Sequence, residues 1–255
     1  LTLDSTSDVT KGYVLLNPTG GQVGIGTSIP TATLSVAGNA VNRTQLIVQA
    51  ATTQTNANPL IQLRNSAGTV LSAFHSDGIT NTFLGLNTGT LNTVGADAGL
   101  NNTFIGANAG ATSTTAKRGT AVGFSALLAQ TSGDSNTALG SNAGRSITWG
   151  AGNTLVGTDA GYSIVTGASN VGVGANVFGY ASGGSYNVAI GRSAFAANTA
   201  NYGVAVGDNA LNANTLGVNN TAVGYRAGVN GTSTEFNNNT FLGYLAGGSA
   251  GSTPV

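Results

Sequence analysis

The chain has 255 residues, with eight basic and eight acidic side chains, 6% charged residues, 40 glycines, no cysteine and no methionine. Such a neutral, charge-poor composition gives nucleic acid and anionic lipid no electrostatic footprint, and it lacks the high net charge of disordered chains. It also excludes disulfides and thiolate metal sites, and its abundant Gly, Asn and Thr disfavour helix bundles.

No apolar run approaches the ~20 residues of a membrane helix, so no membrane insertion is expected. The missing Met, absent even at position 1, marks the sequence as a processed piece or a fragment of something longer. Residues 1–80 follow no fixed period and read as a small β-rich connector. Gly21-Gln22-Val23-Gly24-Ile25-Gly26-Thr27-Ser28-Ile29-Pro30 leads to Leu34-Ser35-Val36, and Leu46-Ile47-Val48 and Leu60-Ile61-Gln62-Leu63 read as strands. Asn65-Ser66-Ala67-Gly68 reads as a hairpin turn into Val70-Leu71-Ser72-Ala73-Phe74, followed by a turn at Asp77-Gly78.

Residues 81–255 are organised by a repeat, Asn-Thr-x-aliphatic-Gly. Its glycine falls at Gly85, Gly106, Gly123, Gly140, Gly157, Gly174, Gly191, Gly207, Gly224 and Gly243. Five consecutive intervals, from Gly106 to Gly191, are 17 residues long. Each repeat reads as one coil of a parallel β-solenoid or β-roll: a short strand, a tight corner and a variable outer segment.

The residue before the glycine is always aliphatic (Val156 and Ile190 are examples), and two residues earlier stands Thr, replaced by Val at 171, 188 and 204. This pair is expected to face the coil interior. The residue between them (Phe83, Phe104, Ala121, Ala138, Leu155) is small or apolar too, so the outer face needs cover from identical chains, and a homotrimer is expected. Asn opens each repeat and is replaced only by Gly119 and Gly203; it reads as a left-handed turn position whose side chains bond from coil to coil. Gly110, Gly144, Gly161, Gly228 and Gly247, four residues after the anchor glycine, read as a second corner.

The G-x-V-G-I-G-T-x-x-P-x-x-x-L-x-V stretch, the I-Q-L-R-N-S-A-G-T-V-L hairpin and the N-T-A-aliphatic-G-x-x-A-G repeats together resemble trimeric phage tail-fibre shafts of the type found upstream of an endosialidase-type intramolecular chaperone. The repeats also resemble the β-roll heads of trimeric autotransporter adhesins. The resemblance covers nearly the whole chain. It implies an extracellular, homotrimeric structural fibre, on a virion or a bacterial surface, that serves host or surface attachment. The chaperone domain of the tail-fibre family is absent from this sequence.

Chemistry-bearing residues are few. Gly24-Ile25-Gly26 and Gly172-Val173-Gly174 have no helix pattern after them and read as backbone packing, not phosphate loops. His75 is the single histidine and finds no triad or second ligand; it reads as a strand-end residue. Asp97, Asp159 and Asp208 read as corner caps, and Asp159 and Asp208 are too many coils apart for glycoside cleavage. No catalytic residue, metal site or cofactor is therefore expected. An outward Thr ladder of the ice-binding kind is disfavoured, because Thr shares its face with the aliphatic column. Trp149, Tyr162, Tyr180, Tyr186 and Tyr202 stand in polar outer segments, where such rings contact a glycan or protein receptor or, alternatively, fill gaps between protomers. Two other functions stay open: a polysaccharide-degrading tail spike and a self-polymerising filament.

Overall fold

The computed structural model describes residues 23–25, 34–36, 61–64, 67, 69–75, 80–92, 99–229 and 237–248. The chain forms two compact units, Leu1–Gln49 and Ala50–Val255. In the first, β1 (Val23–Ile25) pairs in parallel with β2 (Leu34–Val36). In the second, β3 (Ile61–Arg64) and β4 (Val70–His75) make an antiparallel hairpin, and β4 runs antiparallel to β5 (Thr82–Leu84). The expected strand at 46–48 and the turn at 77–78 lie outside the described residues.

From β5 onward the sheet is parallel and grows by one three-residue strand per repeat. The strands are β6 (Thr103–Ile105), β7 (Thr120–Val122), β8 (Thr137–Leu139), β9 (Thr154–Val156), β10 (Val171–Val173), β11 (Val188–Ile190), β12 (Val204–Val206), β13 (Thr221–Val223) and β14 (Thr240–Leu242). Neighbours pair column for column, as in Thr120↔Thr137, Ala121↔Ala138 and Val122↔Leu139. This is a parallel β-solenoid of about nine turns. At the ~4.8 Å spacing of paired strands, nine steps rise roughly 43 Å.

Register is held by the anchor glycine. Gly140 has φ 140, a conformation glycine alone adopts freely, and a Cβ there would lie 2.4 Å from the carbonyl oxygen of Gly157 in the next coil. Each coil therefore settles directly on the next at this corner. The second corner turns through the left-handed region, with φ between 54 and 67 at Gly110, Gly144, Gly161, Gly228 and Gly247.

The strand faces are opposite to the sequence expectation. The central residue of each strand points inward: Phe104, Ala121, Ala138, Leu155, Ala189, Ala205 and Ala222 are all 0% exposed. The Thr/Val and aliphatic residues on either side of it point outward, with Ile105 36%, Ile190 43% and Leu242 77% exposed. Alternation holds but its phase is reversed. The physical reason is the narrowness of the coil. Its interior also receives the Ala column three residues after the glycine (Ala126, Ala143, Ala160, Ala194), leaving no room for two further aliphatic columns. That Ala column packs within its own chain and needs no neighbour to cover it.

Core volume is shared between two columns by a rule of exchange. Where the strand centre is Phe83, Phe104, Leu155 or Phe241, the second corner is glycine: Gly89, Gly110, Gly161 or Gly247. Where the centre is Ala121, Gly172, Ala189 or Ala205, the corner carries the bulk instead, as Leu127, Phe178, Phe195 or Leu211. These four keep the left-handed turn (φ 46 to 53) despite their size, and all are buried. A Cβ on Gly110 would lie 2.3 Å from the Phe104 ring, so the two sources of bulk exclude each other within a coil. Coils with two small residues, such as Ala138 with Gly144, are filled partly by neighbours: Leu127 and Leu155 of the adjacent coils surround Gly144 together with Ile147 of its own coil.

The Asn column is buried, and its turn role is corrected. The left-handed residue is the one before it: Asn101, Arg118, Ser135, Ser169, Tyr186, Tyr202, Asn219 and Asn238 have φ between 57 and 60, whereas the Asn residues themselves do not have positive φ. The Asn side chains form a ladder inside the coil. Asn153 Nδ2 donates to the Gly167 carbonyl at 2.8 Å, and its Oδ1 accepts from the Asn170 backbone N–H at 3.0 Å. Gly119 and Gly203 replace Asn where a ring takes the space; their Cβ atoms would meet Phe104 at 3.2 Å and Phe195 at 2.3 Å.

Candidate functional site

Two surfaces stand out. The first is the outward strand face, where Thr82, Thr103, Thr120, Thr137 and Thr154 stack in consecutive coils and continue as Val171, Val188 and Val204. Beside them runs the exposed aliphatic column. The expectation that Thr points inward, which disfavoured an ice-binding ladder, is thus overturned in its premise. The outward face is uncharged along its length, and no acidic or basic residue occurs in strands β5–β14.

The second surface lies past the anchor-glycine corner. Tyr162 and Tyr180 line a cleft of about 200 Å³ together with Asp159, Asn176 and Gly179. Asp159 occupies the corner with φ 55, and its Oδ1 accepts from Asn142 Nδ2 of the preceding coil at 3.0 Å. Tyr162 is half-buried; the Arg145 guanidinium lies 5.5 Å from its ring centroid and Arg145 Nη1 donates to its hydroxyl at 3.3 Å. Tyr180 is 70% exposed.

The other expected contact residues lie elsewhere. Tyr186 and Tyr202 stack on each other, centroids 5.2 Å apart, just before the strands begin. Trp149 is 66% exposed and shares no ring contact with them. Sequence reasoning missed the position directly after the anchor glycine, where Phe124, Tyr225 and Tyr244 are exposed and the last two stack at 5.4 Å. Two aromatics one repeat apart in the same column are the signal that finds such a pair.

Among the described residues the carboxylates do not converge. Asp134 pairs with Arg118 at 3.1 Å and Asp208 with Arg192 at 2.8 Å, while Asp159 faces the cleft. Among the described residues no group of three His, Cys, Asp or Glu could hold a metal ion, and no helix is long and apolar enough to cross a membrane. His75 ends β4, and Asp97 lies outside the described residues. No family model, curated protein or solved structure matches the chain.

Proposed function

We propose that this chain is a segment of an extracellular attachment fibre, a non-enzymatic rod that assembles as a homotrimer through the outward strand face. The observation that carries the reading is the continuous Thr/aliphatic face along strands β5–β14. Monomeric proteins rarely leave contiguous apolar strips of this extent in water, and closed symmetry lets copies of one chain cover one another. The resemblance of the repeats to trimeric fibre shafts and adhesin heads favours three copies over two. The rod projects its outer segments, including the exposed rings, toward a glycan or protein on the surface to be bound. Light scattering tests this directly: the expected mass is three times 24.9 kDa, and a monomer or dimer at micromolar concentration overturns it. Release of reducing sugar from bacterial capsule or lipopolysaccharide would instead identify a degrading tail spike, and elongated assemblies in negative stain a self-polymerising filament.

A second reading draws on the five stacked threonines, because an outward-facing, regular Thr column beside an aliphatic one is a surface that orders water. The interruption by three valines and the bulk of the aliphatic column favour assembly over ice. Thermal hysteresis of the soluble protein separates the two.

A further inference from the structure

The cleft between Tyr162 and Tyr180 has the parts of a carbohydrate site. We propose that it binds one pyranose ring of a neutral surface polysaccharide, which specifies the receptor class within the attachment reading above.

The cleft exists because one column is interrupted. Arg145, Tyr162 and Gly179 occupy the same position in successive coils, five residues after the anchor glycine. Arg145 covers one face of the Tyr162 ring. On the other side stands Gly179, where no ring continues the column and the Asn176 side chain takes the place of a Cβ; the next ring, Tyr180, stands one residue later and lines the cleft with Tyr162. The volume is below the ~300–1,000 Å³ of sites that enclose drug-sized molecules, and it suits a single sugar ring. A tyrosine face offers a stacking surface for the C–H face of a pyranose, and the second ring bounds the other side.

The polar groups match hydroxyls. Asp159 has a carboxylate with no ion-pair partner among the described residues, and only its Oδ1 is engaged, by the Asn142 amide. The Asn176 amide donates to Ser193 Oγ at 3.4 Å, a long bond that a better acceptor can replace. A carboxylate and an amide side by side accept from and donate to vicinal hydroxyls. Two tyrosines and a carboxylate also suggest a quaternary ammonium cage, but Arg145 already occupies the Tyr162 quadrupole and its charge repels a second cation. The neutral sugar is therefore favoured. The cleft residues follow the anchor glycines Gly157 and Gly174 and lie outside strands β9 and β10, so none of them belongs to the strand face assigned to assembly.

The test is saturation-transfer NMR on the whole chain, with methyl glycosides of glucose, galactose, mannose and N-acetylglucosamine as probes and tetramethylammonium as the competing chemistry. At least one glycoside should receive saturation at its ring C–H protons. Tyr180→Ala and Asp159→Asn should each weaken binding by about ten-fold or more, as truncation of an anchor side chain does, while Tyr186→Ala changes nothing. Tyr180 is exposed, so its loss leaves the fold intact. Saturation of tetramethylammonium alone, of none of the probes, or binding unchanged in both cleft variants overturns the proposal. Light scattering on the same samples separates the two readings: a trimer that binds no glycoside refutes the cleft alone, and a monomer that binds one refutes the trimeric fibre alone.

Discussion

Where a coil takes its bulky core side chain from one of two positions, moving the bulk should be tolerated where removing it is not. The coil anchored at Gly157 takes its bulk from Leu155 and has Gly161 at the corner. Leu155→Ala leaves a cavity whose strand neighbours are Ala138 and Gly172, too small to collapse into it, so the cost should lie in the upper part of the ~2–5 kcal/mol range. Gly161→Leu alone places a Cβ 2.6 Å from Leu155 Cδ1. That overpacking costs about 1–3 kcal/mol, and the left-handed backbone at this corner adds about 1–2 kcal/mol for a residue with a side chain. The double variant recreates the pairing of Ala205 with Leu211, cancelling cavity against clash. Only the backbone strain should remain, so the double is expected to be more stable than the summed singles by about 3 kcal/mol or more. Thermal unfolding followed by circular dichroism at a fixed scan rate reads this out. For a chain of this size each kcal/mol moves the midpoint by about 2–4 °C, so Leu155→Ala should lower it by roughly 7–20 °C and the second substitution should restore most of that. A double variant melting at or below the worse single would refute the exchange of volume between the two columns.

Neighbouring residues on opposite strand faces should respond differently to the same charge. Ala189→Asp buries an unpaired carboxylate and should prevent folding, whereas Ile190→Asp should keep the β-sheet circular dichroism and lose only the trimer; assembly surviving Ile190→Asp would remove this face as the interface. At Asn153, substitution by Leu leaves the Gly167 carbonyl and the Asn170 N–H without partners and should destabilise by about 2–5 kcal/mol, read from the unfolding midpoint. Gly243→Ala meets no atom within 4 Å and should cost only the backbone strain of about 1–3 kcal/mol. Gly140→Ala adds a clash with the next coil and should cost distinctly more, so equal midpoints for the two would argue against steric contact at the corner.

The solenoid, its repeat length and its corner glycines were legible because backbone conformation leaves a strict signature, and glycine at φ 140 admits no substitute. The phase of the strands was not, because hydrophobicity alone decides poorly between faces when both are apolar. Two signals carried the right phase. Asn, tolerating only Gly, lies by alternation on the same face as the strand centre, and an Asn so invariant along the chain belongs inside a hydrogen-bonded ladder. The sizes of the strand centre and the second corner also vary inversely, as in Ala205 with Leu211 and Phe104 with Gly110, which only residues packed against each other do. Of the five rings singled out, the cleft joins Tyr162 to Tyr180 through a missing side chain at Gly179, and an absence in one column is harder to read than a presence.

The sharing of volume between columns also bears on how the solenoid can change length. Bulk is not confined to the coil that supplies it: Leu127 reaches Gly144 and Phe195 reaches Gly203, each in the following repeat, so removing the seventeen residues between two anchor glycines changes the interior of the coils beside them. The coil of Ala138 and Gly144 accommodates side chains from both sides, and its excision would press Leu127 toward Leu155. Which coil the solenoid can lose is therefore decided by which side chains its two neighbours lend to it and borrow from it.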